Sequence, residues 1–278
     1  MSIRHYNPGR NRRGRISIAA ERFLYFNLLL SIVAQIVFLF NKSASSLLIA
    51  ALSGAVFSLA HSQLAYAKRY FWSYLLFTLI FGAAIEYTSI NTAWPFGKLN
   101  YQNLGPELFG LPILILVLWL ATIHPLLIMA RRIAPNWVML SGAAAITSYQ
   151  LFLDQFLVSN KYKSWTFSGA HIPFQTHIPL ANSIGWLFVG VLFFGLANMI
   201  FPKDRRKVSA SLTSIDIFLV WIWIYNFTAN AFFFERPGTA LLGGLTFGAL
   251  LIPYLSRSEE HTSELQSHLN LVCRLLLE

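Results

Sequence analysis

The sequence predicts an all-α, polytopic transmembrane helical bundle of about eight spans with both termini in the cytoplasm. Three observations carry that expectation. Charged residues make up only 12% of the 278 residues, whereas a soluble domain carries about a quarter. Apolar runs recur along the chain near the length, about 20 residues, that a helix needs to cross the hydrocarbon. Basic residues fall mainly on alternate connections, as the positive-inside rule requires. Such a composition excludes an ordinary soluble protein and a disordered one. The single Cys excludes a disulfide framework and any multi-Cys metal site.

A basic segment, 1–22, with Arg4, Arg10, Arg12, Arg13, Arg15 and Arg22, precedes the first span at 23–40. It lacks a small-residue cleavage site and does not read as a cleavable signal. Spans at 46–67 and 70–90 meet at Lys68 and Arg69, and spans at 108–130 and 136–158 meet at Arg131 and Arg132. Spans at 182–201 and 214–234 are joined through Lys203, Arg205, Arg206 and Lys207. The last span, 238–255, carries Gly244 and Gly248, which read as a close-packing motif. In total 14 basic residues lie on one side and five on the other, namely Lys42, Lys98, Lys161, Lys163 and Arg236. The larger set belongs in the cytoplasm. Charge divided among short loops argues against a nucleic-acid partner.

The transmembrane domain therefore runs over 23–256. The remaining tail, 257–278, has six charged residues and no aromatic one. Its RSEEHTSELQS string (Arg257 to Ser267) resembles a sequencing-library adapter translated in frame. The tail is expected to be non-native and is set aside with Cys273, His261 and His268.

Ionisable residues inside a span are functional candidates. Of seven acids outside the tail, Glu21, Asp204 and Asp216 fall on the cytoplasmic side, and Glu107 and Glu235 at outer span ends. Glu86 in the third span and Asp154 in the fifth remain. Each lies about four residues, roughly 6 Å, below the outer interface. Each ends a small or polar stripe: Thr78, Gly82, Glu86 and Ser89 in one span, and Ala143, Thr147, Gln150 and Asp154 in the other. Spacings of three and four keep each stripe on one helix face. Two roles fit them, an acid–base pair or hydrogen-bonded helix glue.

The outer connections 91–107 and 159–181 hold Trp94, Phe96, Tyr101, Trp165, Phe167 and Phe174. These aromatics suit interfacial anchoring or the lining of a site for a long apolar ligand. His171 and His177 stand in the second connection, within reach of the carboxylates if it folds inward. His61 and His124 read as satisfied polar residues near cytoplasmic helix ends. No histidine pair has the spacing for two metal ligands on one helix face, and no glycine-rich nucleotide fingerprint follows a strand, since no strand is evident. The expected chemistry is therefore cofactor-free and metal-free.

Two stretches resemble the integral-membrane carotenoid biosynthesis family, which includes carotenoid 1,2-hydratases of the bisanhydrobacterioruberin and γ-carotene type. The first carries Glu86, Pro95-Phe96-Gly97, Tyr101, Leu104-Gly105-Pro106, Gly110-Leu111-Pro112 and Trp119. The second carries Asp154, Trp165, Pro179, Asn182, Gly185 and Trp186, and a looser third covers Ala229 to Gly244. Gln155 stands where members often have Pro, and Ala93 where a Gly is common.

The resemblance implies a multi-pass cell-membrane hydratase, a lyase acting on an isoprenoid, with its motif loops on the non-cytoplasmic side. Its partners would be a carotenoid substrate, the lipid bilayer and other carotenoid-pathway enzymes. Hydrating an acyclic end group means protonating an alkene and trapping a tertiary cation with water. Burial and a second carboxylate both favour the neutral carboxyl that such an acid needs. Glu86 and Asp154 are the candidate catalytic residues. Trp94, Phe96, Tyr101, Trp165, Asn182 and Trp186 are the candidate substrate-binding residues, with aromatic faces steadying the cation and Asn182 orienting the water. An end-group cyclase or isomerase, or a non-enzymatic carotenoid or lipid carrier, would use the same features differently.

Overall fold

The computed structural model describes residues 17–202 and 212–275, with side chains as far as Arg257 apart from that of Ala44. The basic segment before Ser17 and the basic cluster at 203–207 lie outside the described residues. So do the side chains of the tail beyond Arg257.

Among the described residues eight helices form the bundle: α1 (Ile18–Asn41), α2 (Ala44–Ala65), α3 (Lys68–Thr92), α4 (Ile113–Ile133), α5 (Val138–Ser159), α6 (Leu180–Ile200), α7 (Thr213–Thr228) and α8 (Pro237–Leu275). Polar residues set the first boundaries. Ser17 Oγ accepts from the Ala20 amide and Ser43 Oγ from the Ser46 amide, each capping a helix start. A turn of π-helix, Ala229–Phe233, continues α7, within the third stretch of resemblance. Helix α8 runs on through the segment set aside as non-native.

Seven of these helices are long and apolar enough to cross a membrane, and α5 is not among them. Helix α5 carries Thr147, Ser148, Gln150, Asp154 and Gln155, which lower its hydropathy. It compensates by position: most of its residues are buried by its neighbours, including Gln150, Asp154 and Gln155. A polar helix shielded by apolar ones is the arrangement expected where ionisable groups face the bundle interior.

Small residues allow the close approaches. On α5 and α6, a Cβ at Gly142 would lie 2.3 Å from the Phe194 ring, and one at Gly190 2.6 Å from Ala143 Cα. Gly244 and Gly248 face Phe227 and Trp223 of α7, and Trp223 Nε1 donates to the Gly244 carbonyl at 2.9 Å. The expected packing motif of the last span is thus a seam between α7 and α8. Pro125 inside α4 cannot donate to the Ala121 carbonyl four residues earlier. Ser58 Oγ of α2 supplies that bond at 2.6 Å, which keeps the carbonyl satisfied within the bundle.

The two long connections correct the expectation that the chain has no strands. Strand β1 (Leu99–Tyr101) pairs antiparallel with β4 (Lys163–Trp165), tying one connection to the other. Strands β2 (Glu107–Leu108) and β3 (Leu111–Pro112) form a small hairpin, as do β5 (His171–Ile172) and β6 (Gln175–Pro179). Strands of two to five residues are too short to show a period, but they satisfy backbone groups at the edge of the bundle. The hairpin also moves the start of the fourth span from the expected 108 to Ile113. Phe109 and Gly110 have φ of 53° and 77° and make a turn where the apolar sequence reads as helix.

Candidate active site

Helix α3 buries Tyr70, Tyr74, Thr78, Gly82, Glu86 and Ser89 on one face, which contains the whole predicted stripe. Gly82 has a packing role: a Cβ there would lie 3.2 Å from the Trp119 ring of α4. Trp119, drawn close, donates Nε1 to Glu86 Oε1 at 3.1 Å. Tyr101 donates its hydroxyl to Glu86 Oε2 at 2.9 Å. Each carboxyl oxygen of Glu86 therefore has one neutral donor.

Asp154 has three donors. Lys163 Nζ reaches Oδ1 at 2.7 Å. Asn182 Nδ2 and Trp186 Nε1 reach Oδ2 at 2.7 and 3.2 Å. The Lys163 and Asp154 side chains are both 1% exposed, so the pair is an ion pair buried in full. The Lys163 ammonium also lies 5.3 Å from the Tyr101 ring centre and 4.6 Å from that of Trp165, within cation–π range. Strand pairing produces this arrangement, because Tyr101 and Lys163 are register partners between β1 and β4.

Glu86 and Asp154 line one cavity together with Tyr101, Gln150, Lys163, Trp119 and Trp186. Its water-accessible volume is about 20 Å³, room for about one water. Burial above all, then the carboxylates of Glu86 and Asp154, hold the Tyr101 phenol well above its ordinary value of 10.0. Tyr101 is thus a hydroxyl donor throughout the neutral range.

The other candidates divide. Trp186 lines the cavity, while Phe96 stacks beneath it at 4.4 Å and is itself buried. Gly185 permits that stack: a Cβ there would sit 2.5 Å from the Pro95 carbonyl oxygen. Trp165 is half-buried, bonds the Phe96 carbonyl through Nε1 at 2.9 Å and covers Lys163. Asn182 is buried and holds Asp154, and its Oδ1 has no hydrogen-bond partner among the described residues. Trp94 is 50% exposed and packs edge-on against Phe188, away from the cavity. His171 and His177 are exposed on β5 and β6, so the expectation that they reach the carboxylates is not met. The connection folds outward there, and Phe174 packs onto Gly238 instead.

His61 and His124 meet each other, Nδ1 to Nε2 at 3.0 Å, with the Tyr70 hydroxyl 3.1 Å from His124 Nδ1.

Sequence reasoning missed Lys163, which it placed among the outer loop charges. The signal available was physical: a buried Asp needs a cation or several donors, and Lys163 stands two residues before a Trp on a short connection.

No curated protein and no solved structure matches the chain. The family described as carotenoid biosynthesis protein matches residues 43–252, a stretch that includes Glu86, Asp154, Lys163 and every other residue of the cavity. The chain belongs to that carotenoid biosynthesis family.

Proposed function

We propose that the protein is a carotenoid hydratase, adding water to the terminal C=C of an acyclic end group without a cofactor. The observation that carries this reading is the single cavity lined by both buried carboxyl groups and sized for about one water. Glu86 is assigned as the acid, because its hydrogen-bond partners are two neutral donors. It gives its proton to the less substituted alkene carbon, leaving a tertiary carbocation. The rings of Tyr101, Trp119 and Trp186 face that cation, each worth roughly 0.5–2 kcal/mol. Water adds to the cation, and the proton it loses restores the Glu86 carboxyl through Asp154, so the step is redox-neutral. Lys163, Asn182 and Trp186 hold Asp154 in position for that transfer.

The enzyme is placed in the cell membrane with its motif loops outside, in line with the 14-to-5 basic bias. The test is a pigment extract from a lycopene-making host that expresses the chain. A hydroxylated acyclic product is expected. A ring would mean that the polyene itself captures the cation, as in an end-group cyclase. An unchanged pigment would favour a carrier.

A further inference from the structure

A second cavity, of about 70 Å³, lies among α1, α2, α4, α5 and α7. Phe38, Phe156, Phe218 and Ile222 wall it, while Ala51 and Gly54 keep it open. A Cβ at Gly54 would already touch Ala121 Cβ at 3.4 Å. Most of the polar residues that reach it are committed to the protein, while the Tyr149 and Tyr225 hydroxyls also line it. Ser31 donates to the Ala50 carbonyl, Gln35 joins Ser31 to Trp221, Asn226 donates to the Ile222 carbonyl, and Thr122 to that of Leu118. What these bonds leave is a mainly apolar bed suited to a hydrocarbon, with the phenols of Tyr149 and Tyr225 at its wall.

Leu118, Thr122 and Leu153 border both this cavity and the one holding Glu86 and Asp154. Leu47 borders it on the other side and also lines an outer groove of about 290 Å³ between α2 and α4. Leu48, Leu52 and Ile113 on that groove are exposed, facing where lipid would lie. Three cavities that share wall residues thus lie in series from the lipid side to the carboxyl groups.

We propose that the hydrocarbon arm of a long linear isoprenoid enters from the bilayer between α2 and α4. It lies in the inner apolar cavity and presents its terminal alkene past Leu118, Thr122 and Leu153. The chemistry at the alkene rests on the proposed function; the hydrocarbon site is read separately, by binding. The probe is lycopene added to the full chain in nanodiscs. Filling the cavity by Ala51→Phe or Gly54→Leu should lower retained lycopene per protein by about tenfold or more. The same variants should lower the ratio of lycopene to myrcene turnover, because myrcene has a similar end but little arm. A smaller probe of the same wall is Ala51→Cys in a Cys273→Ser background. Its alkylation by N-ethylmaleimide should slow about tenfold when lycopene is bound, as a buried thiol loses access. Equal retention in the filled variants that insert, or equal alkylation with and without lycopene, would overturn the site. Retention lost on filling while the wild type hydrates neither alkene would leave the site standing and remove the hydratase reading.

Discussion

Two carboxyl groups share a cavity but not an environment. Asp154 is bound to a cation and two further donors, Glu86 to two neutral ones. Their substitutions should therefore differ in kind. Glu86→Gln keeps shape but has no proton to give, so hydroxylated product per unit of inserted protein should fall by about 10²-fold or more. Asp154→Asn should lower turnover too, and in addition strands the Lys163 ammonium. Lys163→Met strands Asp154, and breaking a buried pair from either side costs roughly 3–5 kcal/mol. Membrane-inserted protein should drop in the Asp154 and Lys163 single variants. The double variant Asp154→Asn with Lys163→Met should recover protein level but not turnover, as measured by immunoblot and pigment analysis. Recovery of turnover would make the pair structural only. Tyr101 adds a pH dependence. Its raised value means that stability from this group is unchanged below about pH 10. It falls above, where the unfolded phenol ionises and the buried one does not. Melting temperature in detergent should decline above that pH, and less so in Tyr101→Phe.

At the scale of the element, the glycines on α6 offer a contrast. Gly185→Ala would drive a Cβ to 2.5 Å from a backbone oxygen of the 93–97 turn. The expected cost is about 1–3 kcal/mol, with loss of turnover as Trp186 and Phe96 shift. Gly195→Ala meets Met139 Cβ at 3.7 Å, ordinary contact, and should be neutral or stabilising by about 0.5–1 kcal/mol. Thermal melts of both variants test the pair. The helices were legible in the sequence because lipid demands long apolar runs, and Glu86 and Asp154 because hydrocarbon makes any acid conspicuous. Lys163 was not, since a lysine in a connection reads as solvated. The β1–β4 pairing that buries it involves three residues on each strand, too few to announce themselves. The start of α4 was misjudged because Leu108 and Phe109 are apolar yet belong to a strand and its turn.

For the whole molecule, an even number of crossings returns the chain to the side where it began. The bundle has eight helices among the described residues. A reporter fused after Ser256 should therefore be active only in the cytoplasm, as the basic bias requires. Activity outside would show that one helix does not cross. With Lys163 buried, the connections expected outside keep Lys42, Lys98, Lys161 and Arg236 as basic loop residues, so the expected bias is stronger than the sequence count. Truncation after Ser256 should leave insertion and turnover unchanged, as expected of a non-native tail. It removes the bonds from the exposed Arg257 to the Arg132 and Ile133 carbonyls, and such exposed contacts are worth little.

The polar character of α5 has a consequence for how the protein is made. A helix that lipid would not readily accept alone must be accepted in company. Its tight seam with α6, through Gly142, Gly190 and Ala143, makes the α5–α6 hairpin the natural unit of insertion. Lys163 lies in the connection between those two helices, and Asn182 and Trp186 begin the second of them. Asp154 thus meets its cation and both other donors inside the same hairpin. The charge most costly to this membrane protein can thus be matched within one hairpin, and under the proposed function biogenesis and catalysis would draw on the same four side chains.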